Sequence, residues 1–241
     1  MNPNIIAEIG INHEGSVAKA MQLIQEIADA GLEYVKFQIY DLDYFKDDPH
    51  GNTFDKFQLP FSDYITLIDE AHIRGLKWGA STFGDGATRF VLHQNPDFFK
   101  VSSRRAGDKA LAQQLLAAGY TDKPVLVSHG MYWDERSYDI WECLNAYHLL
   151  CVSKYPAEPH NIRMDAYAWT GEQMEIPLGG YSDHCIGTDA VLVSGILGAE
   201  WIEKHIRLEY QTNETPDIVC SVTAAELAAV RDRIIDLRRY L

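Results

Sequence analysis

Short polar motifs recur along this 241-residue chain, each at the end of a run of apolar residues. They are Glu8, Lys36-Phe-Gln38, Lys100-Val-Ser102-Ser103, Ser128-His129, Ser153-Lys-Tyr155, Ser182-Asp-His184 and Glu203-Lys-His205. Serine hydroxyls and lysine ammonium groups that meet at one place would bind a phosphate, because both donate hydrogen bonds and the lysines add positive charge. A single serine or lysine of this kind is usually solvated or capping. The phosphate prediction therefore depends on the motifs converging.

Two of the motifs end in histidine, His184 and His205, and they follow consecutive apolar runs. Two imidazoles without an obvious third protein ligand make a poor structural zinc site. They suit a divalent ion whose other positions are taken by water and substrate. The pair predicts an open metal site, although a lone histidine is more often structural than a ligand.

Eight apolar runs alternate with segments of helical periodicity, and this alternation predicts how the motifs meet. The predicted strands are Ile5–Ile9, Tyr34–Ile39, Lys77–Ser81, Phe98–Ser102, Pro124–Ser128, Leu149–Ser153, Ile176–Tyr181 and Trp201–Ile206. An open doubly wound sheet would also alternate, but no Gly-x-Gly-x-x-Gly follows the first strand. The pattern and length favour a single-domain α/β fold over residues 1–241, a (β/α)8 TIM barrel whose strand ends share one mouth.

The helical segments are marked by apolar spacing and by their ends. The predicted helices include 17–30, Asp69–Gly75, Ala110–Gly119, Thr188–Gly198 and Thr223–Leu241, with a polar, interrupted sixth segment around Met164–Gln173. The last of them opens on a capping-box pattern, Thr223-Ala-Ala-Glu226, in which each end residue can bond the other's backbone.

Composition restricts the function further. The chain carries 21 basic and 35 acidic residues, a net charge of −14, which argues against binding nucleic acid or an anionic membrane. No apolar run approaches the roughly 20 residues of a membrane span, and the N-terminus does not resemble a signal peptide. Four dispersed cysteines predict reduced thiols, so we expect a cytoplasmic protein.

The chain resembles the sialic-acid synthases, that is, N-acetylneuraminate synthase and its legionaminate, pseudaminate and spore-coat polysaccharide relatives. The matching strings are 7–15, 35–38, Tyr155-Pro156, 180–184, 197–205 and 216–221. They occur in order along essentially the whole chain. The resemblance implies an enzyme that condenses phosphoenolpyruvate with an open-chain, N-acylated aldose to give a nonulosonic acid and phosphate. It also implies a divalent metal, with manganese favoured over magnesium or cobalt, and, by analogy, a homodimer.

The resemblance assigns roles residue by residue. Positions that bind phosphoenolpyruvate match Lys36, Lys100, Ser103, Ser128, Ser153 and Ser182, metal ligands match His184 and His205, and positions facing the sugar match Glu8, Gln38, Tyr155 and Asp217. Its mechanism implies that the metal polarises the aldehyde oxygen while the enol carbon attacks. Glu8 is then the candidate to handle the water, or its proton, that adds to the carbon bearing the phosphate.

Two features depart from the family pattern. Family members usually continue into an antifreeze-like domain that supplies an arginine to the partner's sugar site, and we expect this chain to lack it, with a separate capping chain as one replacement. The family's Gly-Ser-Gly-Glu after the fourth strand is replaced by Ser102-Ser103-Arg104-Arg105. Arg104 and Arg105 are therefore candidates to bind the sugar, the alternative being that both are solvated loop charges.

Two other functions stay open on the same barrel. A Schiff-base aldolase would use Lys36 or Lys100 as its amine, which must then be desolvated enough to be neutral. A barrel without catalytic activity would only bind a sugar, a phosphate or a partner. The surrounding serines favour an anion held by a charged lysine, and the complete set of metal and phosphate residues favours an enzyme.

Overall fold

The computed structural model describes residues 2–49, 51–131, 140–165 and 178–241. Its strands are β1 (Asn4–Gly10), β2 (Tyr34–Tyr40), β3 (Lys77–Phe83), β4 (Phe98–Val101), β5 (Val125–His129), β6 (Ala146–Cys151), β7 (Leu178–Asp183) and β8 (Trp201–His205). Each strand pairs in parallel with the next, and β8 pairs with β1, so the sheet closes into a barrel. The predicted (β/α)8 barrel is confirmed.

Helices connect the strands on the outside of the barrel. They are α1 (Val17–Asp29), α2 (Gly51–Phe57), α3 (Phe61–Ile73), α4 (Asp85–His93), α5 (Lys109–Ala117), α6 (Asp189–Ile196) and α7 (Ala224–Arg238). At the start of α1, Ser16 accepts a hydrogen bond from the backbone N–H of Lys19. The predicted capping box of Thr223 and Glu226 is present at the start of α7. None of the helices in the described ranges has the length and apolar character needed to cross a membrane.

Some element boundaries differ from the prediction. The sequence predicts Leu149–Ser153 for the sixth strand, whereas β6 covers Ala146–Cys151, because its first three residues are only half-buried and lack a continuous apolar pattern. Helices α2 and α4 have no counterpart among the predicted segments, and α3 begins well before the predicted Asp69. The prediction around Met164–Gln173 lies mostly outside the described residues, as do the first two residues of the predicted seventh strand.

The interior of the barrel changes from apolar to polar along the strands. Its lower layer is a buried cluster of Ile6, Phe98, Leu126, Leu149 and Trp201, with Tyr34 and Tyr147 packed against it. Since strand side chains alternate between faces, the residue two positions further along points inward again, one layer higher. Those residues are Glu8, Lys100, Ser128, Cys151 and Glu203, with Lys36 above Tyr34. The alternation of side chains along the strands thus places a polar layer directly above an apolar layer inside the barrel.

The four cysteines are free thiols in the structure, and all but Cys143 are buried.

A second, larger apolar core lies between the barrel and the helices, and it contains the inner face of α1 at Ala20, Leu23, Ile24 and Ile27.

Candidate active site

A cavity of about 470 Å³ lies at the C-terminal ends of the strands. The predicted site residues that line it are Lys36, Gln38, Lys100, Ser103, Ser128, Ser153, Tyr155, Ser182, His184, His205 and Asp217. The remaining one, Glu8, is fully buried beside Lys36, and its carboxylate oxygen Oε2 lies 2.7 Å from Lys36 Nζ. The structure therefore brings the residues predicted from separate strand ends into one place.

Two lysines share one carboxylate at the base of this cavity. Glu203 Oε2 lies 3.8 Å from Lys36 Nζ and 4.0 Å from Lys100 Nζ, and Glu203 Oε1 accepts a hydrogen bond of 3.0 Å from Ser182 Oγ. Lys36 also donates to Ser81 Oγ, at 3.0 Å. No role for Glu203 follows from the sequence alone. The signal that could have found it is its position two residues before His205, on the same face of β8.

Burial separates the protonation states of these groups. Burial raises the pKa of Glu8 well above its usual range, and the nearby Glu203 adds to this, although Lys36 opposes it. Burial would also raise the pKa of Glu203, but Lys100 and Lys36 outweigh it and hold that pKa below its usual range. Glu203 is thus the ionised carboxylate of the pair, and Glu8 is the carboxyl that holds a proton more readily.

The pKa values of the two lysines are shifted in opposite directions. Burial disfavours the charged form of Lys36, but the carboxylates of Glu203 and Glu8 outweigh it, so the pKa of Lys36 lies above its usual value. Burial lowers the pKa of Lys100, Glu203 opposes this only in part, and the charge of Lys36 lowers it further. An additional anion near Lys100 would favour its charged form.

Serine hydroxyls converge around Gly130, directly after β5. The Gly130 N–H donates to Ser103 Oγ at 2.9 Å. A Cβ at this position would lie only 2.5 Å from Ser153 Oγ and 2.9 Å from Ser103 Oγ, so glycine lets both hydroxyls approach the backbone. Ser128 Oγ is buried and has no hydrogen-bond partner among the described residues. This group of hydroxyl and N–H groups, next to two lysines, is suited to binding a phosphate.

The imidazole of His184 is held in one orientation. Its Nδ1 lies 2.7 Å from the carbonyl oxygen of Val152, and because a carbonyl only accepts, Nδ1 carries the hydrogen. In the neutral form of this imidazole, Nε2 then presents its lone pair to the cavity, where the Tyr155 hydroxyl donates to it at 2.9 Å. A ring nitrogen fixed through a carbonyl on the far side of the imidazole is the usual arrangement of a metal-binding histidine.

The second imidazole lies close to the first, with ring centroids of His184 and His205 separated by 5.7 Å. His205 Nδ1 is buried without a hydrogen-bond partner among the described residues and lies 3.7 Å from Asp217 Oδ2. Burial, and then the neighbouring His184, lower the pKa of His205 well below its usual value, so its imidazole is neutral. Burial raises the pKa of Asp217 to about 6.

These donors fit a divalent ion in part. A neutral imidazole, an aligned Nε2 and an unpartnered buried Nδ1 are the properties that metal ligands need. In the described part of the chain, no group of three or more histidine, cysteine, aspartate or glutamate side chains is placed to hold a metal. Such an ion would therefore take His184 and His205 as protein ligands and fill its other positions with water or substrate.

A buried hydrogen-bond network positions the loop that carries Asp217. The Asn12 amide, after β1, donates to the Ile206 carbonyl at 2.8 Å and to Ser221 Oγ at 2.9 Å. Ser221 Oγ donates in turn to the Asp217 carbonyl at 2.7 Å, and Gln211 donates to the Asn12 carbonyl at 2.7 Å. Asn12 lies within a string that carried the family resemblance, but no local pattern indicates this long-range role.

The two arginines after β4 have different surroundings. Arg104 lines the cavity, its guanidinium pairs with Asp48, and it lies 5.6 Å from the ring centroid of Phe45. Arg105 is buried outside the cavity lining, where it pairs with Asp108 at 2.7 Å and donates to the Thr82 carbonyl at 3.1 Å. Arg105 therefore fits neither alternative, a sugar-binding residue or a solvated loop charge, because it is buried and its donors bind the protein's own loops.

Fold and site together define a (β/α)8 barrel that collects anion-binding serines and lysines and a pair of imidazoles at one mouth. The chain belongs to the NeuB family, whose profile matches residues 23–241. The resemblance found in the sequence is thereby confirmed.

Similar proteins cover nearly all of this chain. N-acetylneuraminate-9-phosphate synthase of Drosophila melanogaster is 29% identical over 97% of this chain and 68% of its own length. Pseudaminic acid synthase of Campylobacter jejuni is 27% identical over 95% of this chain and 72% of its own length. The crystal structure of N-acetylneuraminic acid synthetase from Leptospira borgpetersenii, in complex with citrate, superimposes with a TM-score of 0.89 at 26% identity, covering 99% of this chain and 85% of that one.

Proposed function

We propose that this protein condenses phosphoenolpyruvate with an open-chain, N-acylated aldose to give a nonulosonic acid and inorganic phosphate. The observation that carries the proposal is the convergence of Lys36, Lys100 and the serine hydroxyls with two imidazoles in one cavity. The relatives named as synthases of N-acetylneuraminate 9-phosphate and of pseudaminic acid support this class of product.

Phosphoenolpyruvate is a small trianion, and the base of the cavity offers it cations and hydroxyl donors. Lys36 and Lys100 would meet its charges, while Ser103, Ser128 and Ser153 would donate to its phosphate. Charged hydrogen bonds of this kind are worth ~1.5–3 kcal/mol each. Because Glu203 lies within 4.0 Å of both lysines, it orients them but also offsets part of their charge.

His184 and His205 would hold the divalent ion, for which manganese is the favoured choice and magnesium and cobalt are the alternatives. When bound, the ion supplies Lewis acidity at the aldehyde oxygen. The side chain of Tyr155, now bonded to His184 Nε2, would move from that nitrogen and face the acceptor. Gln38 and Asp217 also line the cavity and would orient the acceptor's polar groups.

The carboxyl of Glu8 is the group placed to move a proton. The enol carbon forms a bond to the aldehyde carbon, which leaves positive character on the carbon that bears the phosphate. Water adds there and releases one proton. The ionised form of a carboxyl with a raised pKa is a stronger base than an ordinary glutamate, so Glu8 would take that proton and could return it to the former aldehyde oxygen, which becomes a hydroxyl. The bond between carbon and the phosphate oxygen then breaks, while the added hydroxyl becomes the keto group and its proton leaves with the phosphate.

Phosphate release tests the proposal. With manganese and phosphoenolpyruvate, N-acylated aldoses should release phosphate, and plain aldoses should release less. In ¹⁸O-water the phosphate should contain no label, because the carbon–oxygen bond breaks. Absence of phosphate release with every acceptor would refute the proposed activity.

The metal is tested separately. His184→Ala should abolish turnover and weaken manganese binding measured by titration, whereas His93→Ala, at an exposed position on α4, should change neither. Full activity of the unaltered protein in excess chelator would rule out the metal.

One observation favours a second function, a Schiff-base aldolase. Burial lowers the pKa of Lys100, which moves its amine toward the neutral form that attacks a carbonyl. Borohydride added with a keto acid would then trap a covalent adduct on Lys100, detected by mass spectrometry. Trapping that is lost in Lys100→Arg would favour the aldolase, and absence of an adduct would favour the condensing synthase.

A further inference from the structure

The segment after β2 covers one side of the cavity. We call residues 42–49 and 51–57 the strap; it consists of a 3₁₀ turn, Leu42–Phe45, and helix α2. Its Phe45 and Phe54 line the cavity and stack on each other, with ring centroids 3.8 Å apart and planes at 11°. Phe83, at the end of β3, also lines the cavity, and its ring centroid lies 5.2 Å from that of Phe45. The strap thus adds an aromatic wall to a cavity whose base is polar.

Contacts from two sides hold the strap in place. On the side of its own strand, the Tyr40 hydroxyl donates to the Phe54 carbonyl at 2.8 Å. On the other side, Arg104 reaches it from the loop after β4, pairs with Asp48 and lies over the ring of Phe45. Arg104 therefore joins the aromatic wall to the loop that also carries Ser103.

We propose that Arg104 is a positioning residue, which holds the strap through Asp48 and Phe45 so that Phe45 and Phe54 form the wall for the acceptor's apolar substituent. The assignment to the acceptor rests on the proposed function. Aromatic rings cannot bind the trianion phosphoenolpyruvate, whose charges need the lysines and serines. A plain aldose presents hydroxyl groups, whereas an acyl group presents a methyl that can pack on a ring. The wall therefore selects an acylated acceptor.

The size of the effect follows from the kinds of contact involved. A partly exposed ion pair and a cation–π contact together account for about a five- to thirtyfold change in an equilibrium constant. Without Arg104 the acceptor would have to order the strap as it binds. The apparent affinity for the acceptor should fall by that factor, and the affinity for phosphoenolpyruvate should stay within about twofold.

We call the contacts of Arg104 with Asp48 and Phe45 the latch; hydrogen exchange measured by mass spectrometry tests it without requiring turnover. Arg104→Ala and Asp48→Ala should each speed exchange in peptides from the strap, and the effect of the double variant should be smaller than the sum of the two single effects, because both substitutions remove the same ion pair. Arg74→Ala is the matched control, since Arg74 pairs with Glu70 on its own helix, at 2.5 Å, and links no loops. Unchanged exchange in Arg104→Ala, or additive effects in the double variant, would overturn the latch.

Kinetics test the role in positioning. Arg104→Ala should raise the acceptor KM about five- to thirtyfold while calorimetry shows nearly unchanged phosphoenolpyruvate binding. Phe54→Ala should reduce the preference for an N-acylated over a plain aldose. An unchanged acceptor KM, or an equal loss for both substrates, would contradict the role. If the unaltered protein turns over no acceptor at all, the proposed function fails, and hydrogen exchange still decides whether the latch exists.

Discussion

Gly130 offers a direct way to perturb the phosphate end of the cavity without removing a charge. In Gly130→Ala the added methyl would lie 2.5 Å from Ser153 Oγ, about 0.9 Å inside an ordinary contact of 3.4 Å. It would also lie 2.9 Å from Ser103 Oγ, which now accepts from the Gly130 N–H. At least one of the two hydroxyls must therefore rotate or move away.

The expected loss of binding free energy is that of one hydrogen bond to the charged phosphate, ~1.5–3 kcal/mol. This loss weakens phosphate binding by roughly ten- to a hundredfold. Calorimetric titration with phosphoenolpyruvate, and separately with inorganic phosphate, measures this without any acceptor. Both ligands should be weakened together, because the methyl acts on the phosphate donors.

Gly107→Ala is the matched control. An added Cβ at Gly107 has nothing within 4 Å, so binding should not change. Both variants should keep a cooperative thermal transition, which shows that each is folded. Phosphoenolpyruvate affinity in Gly130→Ala equal to that of the unaltered protein would refute the assignment of Ser103 and Ser153 to the phosphate.

Three further predictions concern stability, binding and catalysis. Burial lowers the pKa of His13 to about 4 from 6.5, so the unfolded chain binds a proton at a higher pH than the folded chain does. The free energy of unfolding should therefore decrease as the pH falls below 6.5, by about 2 kcal/mol at pH 5. His13→Asn keeps an acceptor for the Gly15 N–H. In urea denaturation, the free energy of unfolding of this variant should fall by about 2 kcal/mol less between pH 7 and pH 5 than that of the unaltered protein. An unchanged pH dependence would contradict the role of His13. Lys36→Met should weaken phosphoenolpyruvate binding about ten- to a hundredfold by calorimetry, and unchanged affinity would remove Lys36 from the site. Glu8→Gln should lower kcat by at least about a hundredfold with phosphoenolpyruvate affinity nearly preserved, and a normal kcat would exclude Glu8 as the proton acceptor.

Strand positions and the identity of many inward-facing residues could be predicted from the sequence. Lys36 and Gln38 lie two positions apart on one strand, so the period of the strand alone places both side chains on the same face. Both line the cavity. The polar ends of β7 and β8 likewise indicate that His184 and His205 lie near each other. These inferences succeed because they depend only on the period of a strand and on neighbouring strands closing one barrel.

Other features depend on partners distant in the chain, and no local pattern encodes them. Arg104 and Arg105 are adjacent and chemically identical, yet Arg104 reaches the strap and Arg105 turns to Asp108. The same holds for Glu203, whose importance lies in two lysines contributed by β2 and β4. Long-range packing decides such cases, and the strap itself is a largely polar stretch whose periodicity does not indicate a helix.

The closure of the barrel between its first and last strands has a consequence for biosynthesis. Asn12 bonds to residues 194 and 209 positions later, so Glu8 and Asn12 leave the ribosome long before the loop that carries Asp217. At about 5–20 residues per second, translation of that stretch takes about 10–40 s. During this time β1 has its β2 neighbour available but not β8, so one strand edge stays unpaired. The nascent chain therefore needs protection from aggregation until β8 emerges, and ligand-binding competence should arise in one late step of synthesis.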